Sequence, residues 1–326
     1  MDAAVRQGQA FWVEEALRGG LRPVMLAAPE PGHVLVETMF SGLSRGTETL
    51  VFRGGVPASQ HQAMRCPFQE GDFPAPVKYG YAAVGRVLCG DDGLVGRSVF
   101  VLHPHQTHFI VPAAAAIPLP EGLPPGRAVL AANMETAING VWDAGIAPGD
   151  RVCVIGAGVV GLLVASLASR IRGAAAVVHD IDGGKAAAAA TLGLLFSNNP
   201  QDIGPVDVVI HASGDPAGLR TALDLAPFEG LILEMSWFGD RAVTLPLGET
   251  FHSRRLTLRS SQVGAVSPSH RGRYSHRQRL ELALRLLRDD AFDYLISGES
   301  PFELLPQVMA DIAAGRLPAL CHRIRY

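Results

Sequence analysis

The sequence predicts an α/β protein in which a doubly wound parallel sheet is joined to a smaller β-rich domain, and three observations carry that prediction. The apolar run at 152–155 breaks at Gly156-Ala157-Gly158-Val159-Val160-Gly161 and passes into an apolar helix. This is the order of a buried parallel strand, a tight turn and a helix. Beyond it, strand-like and helix-like segments keep alternating, as βα units do. Ahead of it, about 120 residues consist of short strand-like runs divided by Pro and Gly.

In chain order, 9–17 and 34–39 have strand character and are separated by Pro29, Pro31 and Gly32. Residues 80–88 (GYAAVGRVL), 98–102 (SVFVL) and 109–111 read as further strands, so this part forms a small barrel-like domain rather than a helical one. From Pro118 a proline-rich entry leads into a helical segment at 125–144, and Pro148-Gly149-Asp150 delivers the chain to the glycine turn. Later strands fall at 174–179, 206–211 and 230–235, with helices at 185–192 and 216–225 to cover the sheet. There is no internal repeat and no long low-complexity tract.

The glycine turn carries chemistry as well as geometry. Gly156 permits the turn, Gly158 lets the backbone approach a pyrophosphate, and Gly161 lets the helix lie close on the sheet. The helix start at Val159 and Val160 supplies N–H donors and a favourable dipole to a phosphate. The next strand ends in Asp180, 19 residues after Gly161. An acid there accepts both adenosine ribose hydroxyls and repels a 2′-phosphate, which favours NAD(H) over NADP(H); alternatively, Asp180 caps a helix ahead of Ile181-Asp182-Gly183-Gly184. Ser213 and Gly214, after the strand at 206–211, are further candidates for cofactor contact. Together these features predict a Rossmann domain.

A chain of 326 residues exceeds one ordinary core and suggests two domains. Its net charge of −3 gives no footprint for nucleic acid. The start has no apolar core of signal-peptide length, and no apolar run is long enough for a membrane span. Cys66, Cys89, Cys153 and Cys321 are widely spaced with no CxxC pair, and we read them as reduced thiols of a cytoplasmic protein.

Nearly end to end, the chain resembles the medium-chain dehydrogenase/reductase superfamily, the zinc alcohol dehydrogenase group with its zinc-free relatives. The resemblance rests on SGLSRGTE (41–48), GYAAVGRV (80–87), VPAAAAIPLPEG (111–122), PGDRVCVIGAGVVGLL (148–163), Asp180, VDVVIHASG (206–214) and the terminal PFELLPQVMADIAAGRLPALCHRIRY (301–326). More loosely, the SGxSxGTE and GYxxVG patterns are similar to the subgroup of the bacteriochlorophyllide hydroxyethyl dehydrogenase. The resemblance implies a GroES-like β-barrel catalytic domain at 1–122, an NAD-binding Rossmann domain at 123–264, and a segment at 265–326 that returns to the catalytic domain. It also implies a homodimer formed through the nucleotide-binding domain.

Zinc members place a Cys where this chain has Ser44 and a His where it has Tyr81, while a third ligand position falls at Glu135. One oxygen ligand cannot hold a catalytic zinc, which takes three protein ligands and an open position, so no zinc is expected. Hydride transfer then needs another donor for the developing alkoxide. Tyr81 is the first candidate, with Ser44 and Thr47 as further donors or relay; Tyr81 also reads as a packed aromatic with a satisfied hydroxyl. Glu135 reads as a base or as a helix cap. His103, His105 and His108 in HPHQTH read as pocket histidines or metal ligands, and Arg45 and Lys78 as anion contacts or solvated surface. The function expected is a zinc-independent NAD(H)-dependent oxidoreductase that interconverts an alcohol and a carbonyl compound. An NAD(P)H-dependent enone or quinone reductase and a catalytically degenerate nucleotide-binding protein are the alternatives, and the partner expected is a small-molecule substrate.

Overall fold

The computed structural model describes residues 6–326, and the chain divides into two compact units. A central unit comprises Asn133–Leu295; a split unit comprises the chain up to Ala132 together with Ile296–Tyr326.

The central unit is built on a six-stranded, all-parallel sheet in the order Leu195–Ser197, Ala175–His179, Arg151–Ile155, Val208–His211, Leu231–Glu234, Thr257–Ser260. Numbered along the chain within this unit, the order is 3-2-1-4-5-6, that of dinucleotide-binding sheets. Strand residues alternate between faces, and both faces of Arg151–Ile155 are covered. Val154 meets the helix Val159–Ser169, whereas Cys153 and Ile155 join Leu219, Ala222 and Leu223 of the helix Pro216–Leu225. The sheet is therefore doubly wound, with a Rossmann architecture.

Expected and observed elements differ mainly at their ends. The helical segment at 125–144 divides into Pro125–Ala128 and Ala131–Ala144. The central unit also extends to Leu295, past the boundary read at 264 from the sequence. Arg279, only 1% exposed on the helix His276–Leu286, explains this. Its guanidinium donates to Glu135 and Asn139 on Ala131–Ala144 and to the Val263 and Ala265 carbonyls. That single side chain ties residues 263–279 to the helix that opens the central unit.

The split unit is sheet-rich. In its seven-stranded sheet, His33–Ser44 pairs with Ala83–Gly90, His108–Pro112 and the C-terminal strand Cys321–Arg325. This last pairing, with the neighbouring strand Ile296–Pro301, returns the chain end to the first domain. Val34, Val36, Ala83, Val99, Phe109 and Val111 form the sheet core. Gly80, Tyr81 and Ala82 precede the strand rather than belong to it. Gly80 takes φ +144, and a Cβ there would lie 3.0 Å from the His105 ring, so the chain is turned by that close approach. No helix is long and apolar enough to cross a membrane among the described residues.

Two stability predictions follow from this packing. A Cβ on Gly161 would sit 1.9 Å from the Gly156 carbonyl oxygen, so Gly161→Ala is expected to destabilise the central unit by about 1–3 kcal/mol in urea unfolding. Arg279→Met leaves the buried Glu135 carboxylate without its partner and is expected to cost about 3–5 kcal/mol, much of it recovered in Arg279→Met/Glu135→Leu.

Candidate functional site

In a parallel sheet the strand order reverses at one point, and ligands bind outside the carboxyl ends of the strands there. In the central unit this point lies between Arg151–Ile155 and Val208–His211. Gly156 leaves the first strand at φ +110, and a Cβ there would meet Ser213 N and Cα at 2.7 Å. The sequence-predicted Gly156 and Ser213 are thus brought together at the crevice. Gly158 caps the helix Val159–Ser169 with no side-chain hydrogen bond to that helix end. Val159, Val160 and Gly161 supply the first-turn N–H groups that an α-helix leaves without an intrahelical partner. A Cβ built on Gly158 meets nothing within 4 Å. Open space in front of uncapped N–H donors fits a pyrophosphate.

Asp180, at the end of the neighbouring strand, accepts from Ala157 N–H at 2.8 Å and Asp182 N–H at 3.0 Å, and pairs with Lys185 Nζ at 2.7 Å. Burial pushes its carboxyl up, but Lys185 and the two N–H groups outweigh this and hold it below the usual carboxylate range. It is a carboxylate fixed beside the glycine turn. Asp182, not Asp180, caps the short helical turn that follows. Lys185 was not anticipated; its five-residue offset from Asp180 is visible in the sequence, but an isolated Lys carries no signal.

Ser213 and Gly214 belong to a second polar group at the same crevice. His211, wholly buried, sets Nδ1 2.7 Å from Glu234 Oε2 and Nε2 2.6 Å from Ser213 Oγ. Gly214 N–H donates to Ser236 Oγ at 3.0 Å, and Arg241 donates to the Gly214 carbonyl. His211 and Glu234 lie inside apolar strand runs and were missed.

In the split unit, the Ser44 and Thr47 hydroxyls lie near the Tyr81 phenol and act to lower its pKa, so three of the predicted catalytic residues come close together. Burial and the nearby Glu48 carboxylate push the Tyr81 phenol well above its ordinary range, against the two hydroxyls. Tyr81 stays protonated and able to donate. Behind it runs a buried chain that the sequence did not disclose. Ser44 N–H donates to Glu48 Oε1 at 2.9 Å, and Glu48 Oε2 lies 2.7 Å from His105 Nε2. His105 Nδ1 meets Ser41 Oγ at 2.7 Å, and Ser41 Oγ meets the terminal Tyr326 hydroxyl at 2.9 Å.

The HPHQTH histidines point to different partners. His103 stacks on Phe109 and Phe68, with burial lowering its pKa to about 3; His105 serves Glu48 and Ser41; His108 faces Glu37. No group of three or more His, Cys, Asp or Glu is arranged to hold a metal ion among the described residues. Cys66 stands near Glu48, and burial pushes its thiol up to about 12. Glu135 lies in the central unit, held by Arg279; burial raises its carboxyl above the usual range while Arg279 opposes the shift. Lys78 is neither solvated nor free for an anion: it is buried, paired with Glu70 and 2.7 Å from Gln106 Oε1. Arg45 is exposed.

No protein-family model matches the chain. A D-guloside 3-dehydrogenase of Escherichia coli K12 is 25% identical over 283 residues, spanning 78% of this chain and 81% of that protein. Among solved structures, L-idonate 5-dehydrogenase from Escherichia coli K-12 superposes with a TM-score of 0.81 at 17% identity, covering 100% of both chains. A short chain alcohol dehydrogenase from Escherichia coli CFT073, complexed with NADH, does so with a TM-score of 0.77 at 16% identity, covering 98% of this chain and 99% of that one. At these identities the structural likeness establishes architecture: a Rossmann sheet and a GroES-like sheet-rich domain, shared with dehydrogenases over essentially the whole chain.

Proposed function

We propose that the protein is a nicotinamide-dinucleotide-dependent oxidoreductase that interconverts an alcohol and a carbonyl compound without zinc, and that it prefers NAD(H). The observation that carries this reading is the switch-point crevice. Gly158 opens onto free space, the helix start presents uncapped N–H groups, and the Asp180 carboxylate stands at the end of the adjacent strand. The enzymes it is similar to act on a guloside and on idonate by name, so sugar derivatives are the substrate class to test first.

A bound nicotinamide would supply or accept the hydride. The first-turn N–H groups of Val159, Val160 and Gly161 hold the pyrophosphate, and Asp180 accepts the adenosine ribose hydroxyls. During carbonyl reduction the substrate oxygen gains negative charge, and Tyr81 donates its phenolic hydrogen to that oxygen. Ser44 and Thr47 lie beside the phenol, and solvent returns the proton it has given up by relay through their hydroxyls, each hydroxyl taking one proton as it passes one on; in alcohol oxidation the same transfers run in reverse. We assign Glu135 to fixing residues 263–279 through Arg279 rather than to proton transfer. A homodimer would form at the edge strand Thr257–Ser260, which is exposed along its length as an unpaired sheet edge. A cytoplasmic enzyme without a nucleic-acid partner completes the reading.

In fluorescence titrations the parent is expected to bind NADH more tightly than NADPH, with folded Gly158→Val binding neither. Asp180→Ala is expected to weaken NADH by about 1–3 kcal/mol and NADPH by less; tighter NADPH binding by the parent would refute the preference. In turnover assays on polyols and ketoses, Tyr81→Phe is expected to lose roughly a hundredfold to a thousandfold in kcat with NADH affinity unchanged. Chelators are expected to leave the parent active; a tightly held zinc whose removal abolishes turnover would sink the metal-free mechanism.

A further inference from the structure

The His211–Glu234 pair gives Ser213 a fixed hydrogen-bonding polarity. A carboxylate can only accept, so with one ring hydrogen His211 carries it on Nδ1, facing Glu234, and Nε2 accepts the Ser213 hydroxyl proton. Asp215 N–H donates to the same Oγ at 3.1 Å. The only proton on Ser213 is thereby turned inward. One lone pair remains on an exposed residue, and it can only accept. The helix Pro216–Leu225 leaves room for this arrangement through Gly218, where a Cβ would come within 2.6 Å of Ser213 Oγ and 2.8 Å of His211 Nε2.

The position of this acceptor suggests its ligand. Asp180 follows the strand on one side of Arg151–Ile155, and Ser213 follows the strand on the other side. The phosphate-binding turn lies between them. A molecule with a pyrophosphate at the turn and one ribose on Asp180 carries its second ribose toward Ser213. Ribose hydroxyls are donors that seek acceptors.

We propose that Ser213 Oγ, locked as an acceptor by the His211–Glu234 pair, receives a hydroxyl of the ribose remote from Asp180. His211 and Glu234 are positioning residues in this scheme, which rests on the dinucleotide reading above. Glu234 lends itself to a test that keeps every atom in place. Its Oε1 accepts Ser236 N–H at 2.6 Å, so in Glu234→Gln the amide oxygen stays there and the amide NH2 turns toward His211. The ring hydrogen then moves to Nε2, and Ser213 points its own proton outward.

Calorimetric titration with ADP-ribose and with ADP separates the two ribose sites. Ser213→Ala and Glu234→Gln are each expected to weaken ADP-ribose about tenfold and to leave ADP binding as in the parent, which also reports an intact fold. ADP-ribose affinity unchanged in both variants would overturn the proposal, as would an equal loss of ADP and ADP-ribose. A parent protein that binds neither ligand would instead overturn the dinucleotide reading, and this inference with it.

Discussion

The candidate cofactor site depends on atoms that are missing at two positions. At Gly161 there is no room for a methyl group against the Gly156 carbonyl, and at Gly156 there is none against the Ser213 backbone. These contacts set the helix Val159–Ser169 and the end of Val208–His211 on either side of one crevice. Interiors are packed too tightly to absorb a methyl there without shifting backbone. The direction of the helix start, the placing of Asp180 beside Ala157, and the exposure of Ser213 all follow from this close approach. Gly158 shows the complementary case: its missing side chain leaves solvent space rather than a contact.

Much of the fold was legible because it is written in local patterns. Parallel strands covered on both faces appear as continuous apolar runs, and Arg151–Ile155, Ala175–His179, Val208–His211 and Leu231–Glu234 fall within a few residues of where those runs placed them. The helix Pro216–Leu225 has the bounds read from the sequence, with its Pro in the first turn and Asp215 capping it. Tyr81, Ser44 and Thr47 were grouped through a resemblance; Ser44 ends a strand, Thr47 opens a short helix, Tyr81 precedes another strand, and the two hydroxyls lie near the phenol. The units themselves were harder to read, because the tie that extends the central unit to Leu295 runs from Arg279 to Glu135, 144 residues away.

What stayed hidden has a common physical character. His105 meets Glu48 across 57 residues, Ser41 meets Tyr326 across 285, and His211 meets Glu234 across 23 on an adjacent strand. His211 and Glu234 sit in apolar runs and Tyr326 at the chain end, while His105 and Glu48 sit in separate polar stretches, and in none of these does local pattern give a partner. Buried polar groups must find hydrogen bonds, so an isolated His or Glu in a buried strand announces that a partner exists. Only the register of the sheet says which residue it is.

These hidden pairs share one chemical consequence. A histidine flanked by a carboxylate on one nitrogen has its ring hydrogen assigned, and so passes a defined polarity to whatever touches the other nitrogen. His105 passes it to Ser41 and then Tyr326; His211 passes it to Ser213. Hydroxyls alone rotate freely between donor and acceptor roles, and a site built from them would spend binding energy on choosing among orientations. Each unit anchors its hydroxyls to a carboxylate instead, buried at Glu48 and half-buried at Glu234. In the split unit the same Glu48 charge, with burial, keeps the Tyr81 phenol protonated. One buried carboxylate there fixes the hydrogen-bond direction behind the site and favours the protonated phenol within it.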